Sequence, residues 1–348
     1  MHCKEVNLEF LYEYGVFLAK AITIVLAFIV IIATIAGQAA KQKQSKGHLE
    51  INSLSEKLDD IVDYADHVLL NKDELKAKAK AKKQDKKKNK KQSSETDNSS
   101  RLFVIDFKGS MDAHEVEQLR EEITALISIA TEEDKVLVKV ESGGGVVHGY
   151  GLAASQLQRL KDNNISLTIA VDKVAASGGY MMACVADTII ASPFAIIGSI
   201  GVIAQIPNFN KILKKHDVEF EQHTAGEYKR TLTMFGENNE AGRSKFKQEL
   251  EEIHGMFKGF VANHRAELDI AKVATGEYWY GTKACELGLV DKIQTSDDFI
   301  LTANQQSQVY SIKYAGKKSV AEKLGFSVAA AVERSLMRLW EGSQSVFK

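Results

Sequence analysis

The stretch Val171-Asp-Lys-Val-Ala-Ala-Ser-Gly-Gly-Tyr-Met-Met-Ala-Cys-Val-Ala186 decides how the chain is read. A short apolar strand, Leu167 to Val171, runs into small residues and then Ser177-Gly178-Gly179. An apolar, alanine-rich run with helical character follows. A serine between a strand end and a helix start exposes its hydroxyl at the sheet edge. The first helical amides lack partners inside the helix, carry partial positive charge and point to the same spot. Such a turn equips a nucleophile and the oxyanion that it creates. Serine is also a good N-cap, so the stretch by itself supports a plain capping role as well.

Working outward, Leu102 to Phe107 reads as a strand and His114 to Ala130 as a helix, with apolar residues at Val116, Leu119, Ile123, Leu126 and Ile127. Lys135 to Val140 is a second strand, closed by Glu141-Ser-Gly-Gly-Gly145. Tyr150 to Lys161 is a helix, and Ser166 to Val171 a third strand. Strands alternating with helices at this pace mean βαβ units and a mostly parallel sheet. Sites in such sheets form at the carboxyl ends of strands, where both glycine turns, 143–145 and 178–179, fall. Glycines at 143–145 let backbone approach a ligand closely; a plain turn is the alternative.

Thr188 to Pro207 is uncharged over 20 residues, and hydropathy alone would make it a membrane span. Its Pro193, Gly198, Gly201 and Pro207 instead predict short buried strands joined by turns. Downstream, 208–216 reads as a helix, 218–223 as a strand, 224–231 as a polar loop and 237–266 as a long helix. Residues 277–291 read as a turn, a helix and a glycine cap, and 320–340 show helical spacing. No internal repeat occurs, which leaves one domain of catalytic type.

The 348 residues, 45% hydrophobic, suffice for one large core or two domains. A net charge of −1 gives no pointer to nucleic acid. Three separated cysteines, Cys3, Cys184 and Cys285, fit neither a metal-ligand spacing nor a disulfide framework. Residues 21–40 carry no charge and predict a transmembrane helix after a flank at 1–20. Tyr12, Tyr14 and Phe17 suit an interfacial belt. Glu5, Glu9 and Glu13 in a long leading segment oppose a cleaved signal peptide. Residues 41–100 are expected to hold one amphipathic helix (Leu54, Leu58, Ile61, Val62, Leu69) and then a disordered linker. Ten lysines lie between Lys76 and Lys91 with no apolar face; anionic lipid headgroups are an expected contact.

A serine at its free pKa needs a base. His148, His216, His223 and His254 are all available, and a desolvated lysine can also serve. Three motifs then resemble one family. Asp172 to Ala183 looks like the nucleophile motif of the signal peptide peptidase A family of serine peptidases. Thr224-Ala-Gly-Glu-Tyr-Lys229, with Lys229 lying 52 residues after Ser177, looks like its lysine motif. Thr275-Gly-Glu-Tyr-Trp-Tyr-Gly-Thr-Lys-Ala284 with Gly288-Leu-Val-Asp291 resembles its C-terminal motif. The resemblance covers the whole chain, most closely from about 101 to 295. It implies an α/β ClpP/crotonase-like fold with a Ser-Lys dyad: Ser177 the nucleophile, Lys229 the general base. The amide of Gly178 and one from Gly144 or Gly145 would hold the oxyanion. One departure stands out, Ser142-Gly143-Gly144-Gly145 where the family has Ser-Pro-Gly-Gly.

The expectation is therefore a serine peptidase domain at 101–295, with a partly helical C-terminal extension at 296–348. By resemblance it is an endopeptidase of the bacterial inner membrane, cleaving signal-peptide remnants or other small membrane-associated peptides. No metal, nucleotide or other cofactor is implied. A ring-shaped homo-oligomer with active sites shared between protomers is implied for a single-domain member. A crotonase-like acyl-CoA enzyme and a non-catalytic membrane scaffold are the rival readings. Lysines flanking the span (Lys41, Lys43, Lys46 and Lys57 after it, Lys4 and Lys20 before) would put the domain in the cytoplasm; the resemblance implies the periplasm.

Overall fold

The computed structural model describes residues 12, 14–24, 47–78, 80 and 100–316. The chain divides into two units, Met1–His48 with Ala315–Lys348, and Leu49–Tyr314. In the first, residues 14–24 are helical, and Thr23 Oγ1 donates to the Ala19 carbonyl one turn back, at 2.8 Å. Among the described residues no helix is long and apolar enough to cross a membrane. The span expected at 21–40 lies outside the described residues from residue 25 on, as do most of the lysine run and the helical spacing at 320–340.

The larger unit is built on a seven-stranded sheet. Its order is β1 (His48–Ser53), β10 (Gln308–Ala315), β2 (Arg101–Lys108), β3 (Lys135–Glu141), β4 (Ser166–Val171), β6 (Thr188–Ala191), β9 (Lys292–Ile293). From β10 to β9 every neighbouring pair is parallel, with Ile105 opposite Val138 and Val138 opposite Ile169. Leu102–Ile105, Val136–Val138 and Ile169–Val171 are buried without alternation, as strands covered on both faces must be. Parallel neighbours need a crossover. Here α2 (Val116–Ile129) and α3 (Val147–Asp162) supply it after β2 and β3. Val116, Leu119, Ile123 and Leu126 of α2, and Tyr150, Ala153, Leu157 and Leu160 of α3, recur at helical spacing and pack with Phe103, Ile105, Val138 and Ile169. The other face of the sheet, Leu102, Val104, Leu137, Ala170, Ile190 and Val309, is covered by Leu54 of α1 (Leu54–Leu69) and by Phe299 and Ile300 of α9 (Ser296–Ala303). A second sheet joins β5 (Val174–Ala176) in parallel to β7 (Ile196–Gly198), which pairs antiparallel with β8 (Tyr278–Tyr280).

Three details depart from the sequence expectation. The folded body is wider than 101–295: β1 and α1 precede that range, and β10 from beyond it inserts between β1 and β2. Residues 218–223 form no strand; Val218 and Phe220 are exposed, and alternation makes a strand only where a sheet edge is free to pair. Thr188 to Pro207 is core only in its first part. Ile189, Ile190, Ile197 and Ile200 are fully or almost fully buried, whereas Ile203 is 79% exposed at the start of an arm that carries α5 (Asn210–Lys215); α6 (Glu240–His264) and α7 (Ile270–Val273) follow it.

The closing motif, Gly288-Leu-Val-Asp291, has a structural task. Gly288 adopts φ +80 after α8 (Gly281–Glu286), as a helix C-terminus requires. The Leu289 carbonyl accepts from the buried Tyr180 hydroxyl at 3.0 Å. Asp291 takes two hydrogen bonds from Arg265, at 3.0 and 2.6 Å, and one from the Ile189 amide at 2.7 Å. Burial alone would push the Asp291 carboxyl up, but these donors outweigh it and hold the group below its ordinary value. The stabilisation is present above the unfolded carboxylate pKa of about 3.9 and is lost as pH falls through the folded one. Asp291→Ala is expected to cost about 2 kcal/mol at neutral pH, less than the ~3–5 of a fully buried pair because the carboxylate is partly solvated. Denaturant unfolding should show the gap between the two proteins closing below about pH 4.

Candidate active site

Ser177 joins β5 to the short helix α4 (Gly178–Ala183) with φ 51 and ψ −117, a conformation that L-residues rarely adopt. Backbone of this kind costs about 1–3 kcal/mol and persists only where its surroundings hold it. The Ser177 amide donates to the Gly198 carbonyl at 2.8 Å, the Ala176 amide to the Ser142 carbonyl at 3.0 Å, and the Met181 amide to the Ser177 carbonyl at 3.0 Å. A capping serine would have extended backbone and a side chain bonded to the first turn. Ser177 has neither, and its side chain lines a cleft of about 600 Å³.

The second glycine turn meets this serine directly. The Ser142 amide donates to the Val174 carbonyl at 2.9 Å, which docks the end of β3 onto β5. Gly144 has φ +90, and a Cβ there would lie 2.7 Å from both the Gly178 amide nitrogen and Ser177 Cβ. Only glycine fits that approach. The Gly144 amide donates to Ser142 Oγ at 3.1 Å. The amides of Gly145 and Gly178 have no hydrogen-bond partner among the described residues. Of the two glycines expected as second donor, Gly145 is thus the one with a free amide. The remaining wall is mostly apolar: Met111, Val147, Met181, Val202, Ile203, Ile253 and Phe257.

The bases fall in different places. Lys229 is exposed and lines a separate cavity of about 850 Å³ with Ile206, Phe220, Thr224, Arg230 and Leu232. The structure does not bring Lys229 into the cleft of its own Ser177. His148, His216 and His223 are exposed and outside the cleft. His254, on α6 (Glu240–His264), lines it, with Nε2 3.1 Å from the Ile200 carbonyl. A carbonyl only accepts, so Nε2 carries the proton in this contact. Two further residues, Ser142 and Tyr150, had no role of their own in the sequence reading: Ser142 was only the first residue of the glycine turn and Tyr150 only the start of a helix.

A strained serine beside two free amides at the carboxyl end of a parallel sheet is equipment for acyl transfer. The chain belongs to peptidase family S49. The model of its N-terminal part matches residues 9–157, and the model named for the family itself matches residues 159–310. By family the chain is therefore a peptidase. It is similar to the probable protease SohB of Haemophilus influenzae, 49% identical over 326 residues, covering 91% of this chain and 92% of that protein. The probable protease SohB of Buchnera aphidicola subsp. Acyrthosiphon pisum is 47% identical over 333 residues, covering 96% and 98%. A solved mutant of the 1510-N membrane-bound stomatin-specific protease, in complex with a substrate peptide, aligns with a TM-score of 0.43 at 13% identity, covering 65% of this chain and 98% of that one.

The two neighbouring glycines are expected to behave differently. A Cβ at Gly143, where the resembled family has proline, meets nothing within 4 Å. Gly143→Ala should hold stability within about 1 kcal/mol of the original. Gly144→Ala must push against the Gly178 amide from a strained φ. A displacement of about 1 Å at a reacting centre costs on the order of 100-fold, so its peptidase kcat should fall at least about tenfold. Steady-state kinetics with thermal unfolding on both variants checks the contrast.

Proposed function

We propose that the protein is a membrane-anchored serine endopeptidase in which Ser177 attacks the scissile carbonyl. The observation that carries this reading is the position of Ser177, held at φ 51 in the cleft beside the unpartnered Gly178 amide. The hydroxyl proton passes to the amine of Lys229 as the Oγ–C bond forms. The amides of Gly178 and Gly145 hold the oxyanion. Collapse of the tetrahedral species breaks the C–N bond, and Lys229 returns the proton to the leaving amine. Water then attacks the acyl-enzyme by the same route in reverse. Family membership favours this over the acyl-CoA alternative. The apolar wall of the cleft suits signal-peptide remnants and other small membrane-associated peptides. Residues 21–40 would anchor the enzyme in a bacterial inner membrane, with the domain on the periplasmic side.

Lys229 lines a different cavity from its own Ser177, which favours a serine supplied by a neighbouring protomer, so the proposal includes a ring of identical chains with shared sites. Its support is the arm from Ile203 to Phe235. The arm exposes Ile203, Ile206, Phe209, Ile212, Val218, Phe220, Tyr228, Met234 and Phe235 and carries Lys229 away from its own cleft. Head-to-tail contacts of this kind close into rings. Ser177→Ala and Lys229→Ala are each expected to lose about 10⁴-fold in kcat. Unfolded and refolded together in equal amounts, the two inactive variants should regain about a quarter of the original activity, the share of interfaces that pair an intact serine with an intact lysine. Mixed rings that assemble but stay inactive would show that both residues come from one chain. Normal turnover by Lys229→Ala would pass the role of base to His254.

A further inference from the structure

The buried side chain of Tyr150 lies beneath the glycine turn beside Ser177. Its phenol donates to the Ser110 carbonyl at 2.8 Å. A phenol has one proton, so the contact between Ser142 Oγ and the Tyr150 hydroxyl must be made by the serine proton. Ser142 Oγ in turn accepts from the Gly144 amide at 3.1 Å. The chain of bonds therefore runs in one direction: Gly144 N–H to Ser142, Ser142 to Tyr150, Tyr150 to the Ser110 carbonyl. Every proton is used once. Burial holds the phenol above its ordinary pKa, so it stays a donor.

The same residue touches the other half of the site. A Cβ at Gly178 would lie 2.7 Å from Tyr150 Cβ and closer still to its ring. Gly178 thus sits directly on the tyrosine. The loop at the far end of the bond chain is also joined to the turn, because the Val146 amide donates to the Met111 carbonyl at 2.8 Å. Tyr150 is fully buried on α3, whose other core residues (Ala153, Ala154, Leu157, Leu160) make ordinary apolar contacts. A core position of this kind would accept phenylalanine if packing were its whole task.

We infer that Tyr150 is a positioning residue of the peptidase: its ring sets Gly178, and its hydroxyl, through Ser142, sets the Gly144–Gly145 turn, so that the two free amides converge on one oxyanion. This rests on Ser177 being the nucleophile. Tyr150→Phe keeps the ring and breaks the chain of bonds at its centre. Ser142 then loses its acceptor and the Ser110 carbonyl its donor, and the turn is free to shift.

The test uses the full-length protein with a peptide substrate and a peptide aldehyde, whose adduct with a serine carries the same oxyanion. Loss of an oxyanion donor outright costs about 10²–10³ in kcat, and a displaced donor less. Tyr150→Phe should lower kcat about tenfold, leave KM within about twofold and weaken the aldehyde by the same factor as kcat. Ser142→Ala should do the same, and it reads the same chain of bonds if Tyr150→Phe does not fold. The double variant should lose no more than the worse single one, because both break one network. Turnover of folded Tyr150→Phe and Ser142→Ala within about twofold of the original overturns the role, as does a fall in kcat with undiminished aldehyde affinity. Ser177→Ala is run alongside. If it turns over peptide normally, the nucleophile reading fails and takes this role with it. If it is inactive while Tyr150→Phe is normal, only the positioning role fails.

Discussion

The site depends on how closely two backbone turns approach each other. The end of β3 and the β5–α4 turn come near enough that a single methyl on Gly144 would strike the Gly178 nitrogen. Only glycine permits that distance, and the bonds through Ser142 help to maintain it. The Ser142 amide and carbonyl pair with Val174 and Ala176, and its hydroxyl takes the Gly144 amide. The strained Ser177 is the product of this junction. Its amide is drawn to Gly198 of β7, so the smaller sheet, the larger sheet and α4 all meet at one residue.

A junction so tight needs a rigid support, and the parallel sheet provides it. Continuous apolar strands are covered by α2 and α3 on one face and by α1 and α9 on the other. The C-terminal motif reinforces α4: the buried Tyr180 bonds the Leu289 carbonyl, and Asp291 ties Arg265 to the start of β6. By contrast, the arm bearing Lys229 has little burial of its own. Close packing is concentrated at the two glycine turns, and exposed apolar surface lies on the arm that carries Lys229.

Much of the site was legible in residues 171–186 and 141–145, because strand, small residues and helix follow one another locally. The spacing of Val116, Leu119, Ile123 and Leu126 was equally direct, since helical period shows in any short window. The insertion of β10 beside β2 was not legible. It pairs residues some two hundred positions apart, and neither strand carries a mark of its neighbour. The alternation at 218–223 misled for a related reason, since that segment meets no free sheet edge. In the sequence Tyr150 only opened a helix; the approach of Gly178 and the contacts of the tyrosine hydroxyl with Ser142 and the Ser110 carbonyl emerge in the fold.

By itself, then, the sequence determined the βαβ order, the two glycine turns and the identity of the serine between them, because each follows from neighbours in the chain. Tertiary structure alone decided that Gly145 and Gly178 keep free amides while Gly144 is turned to Ser142. It also decided that His254, and not the chain's own Lys229, lines the cleft. Those outcomes depend on contacts between segments far apart in the chain, which are fixed only when the whole sheet and its helices pack.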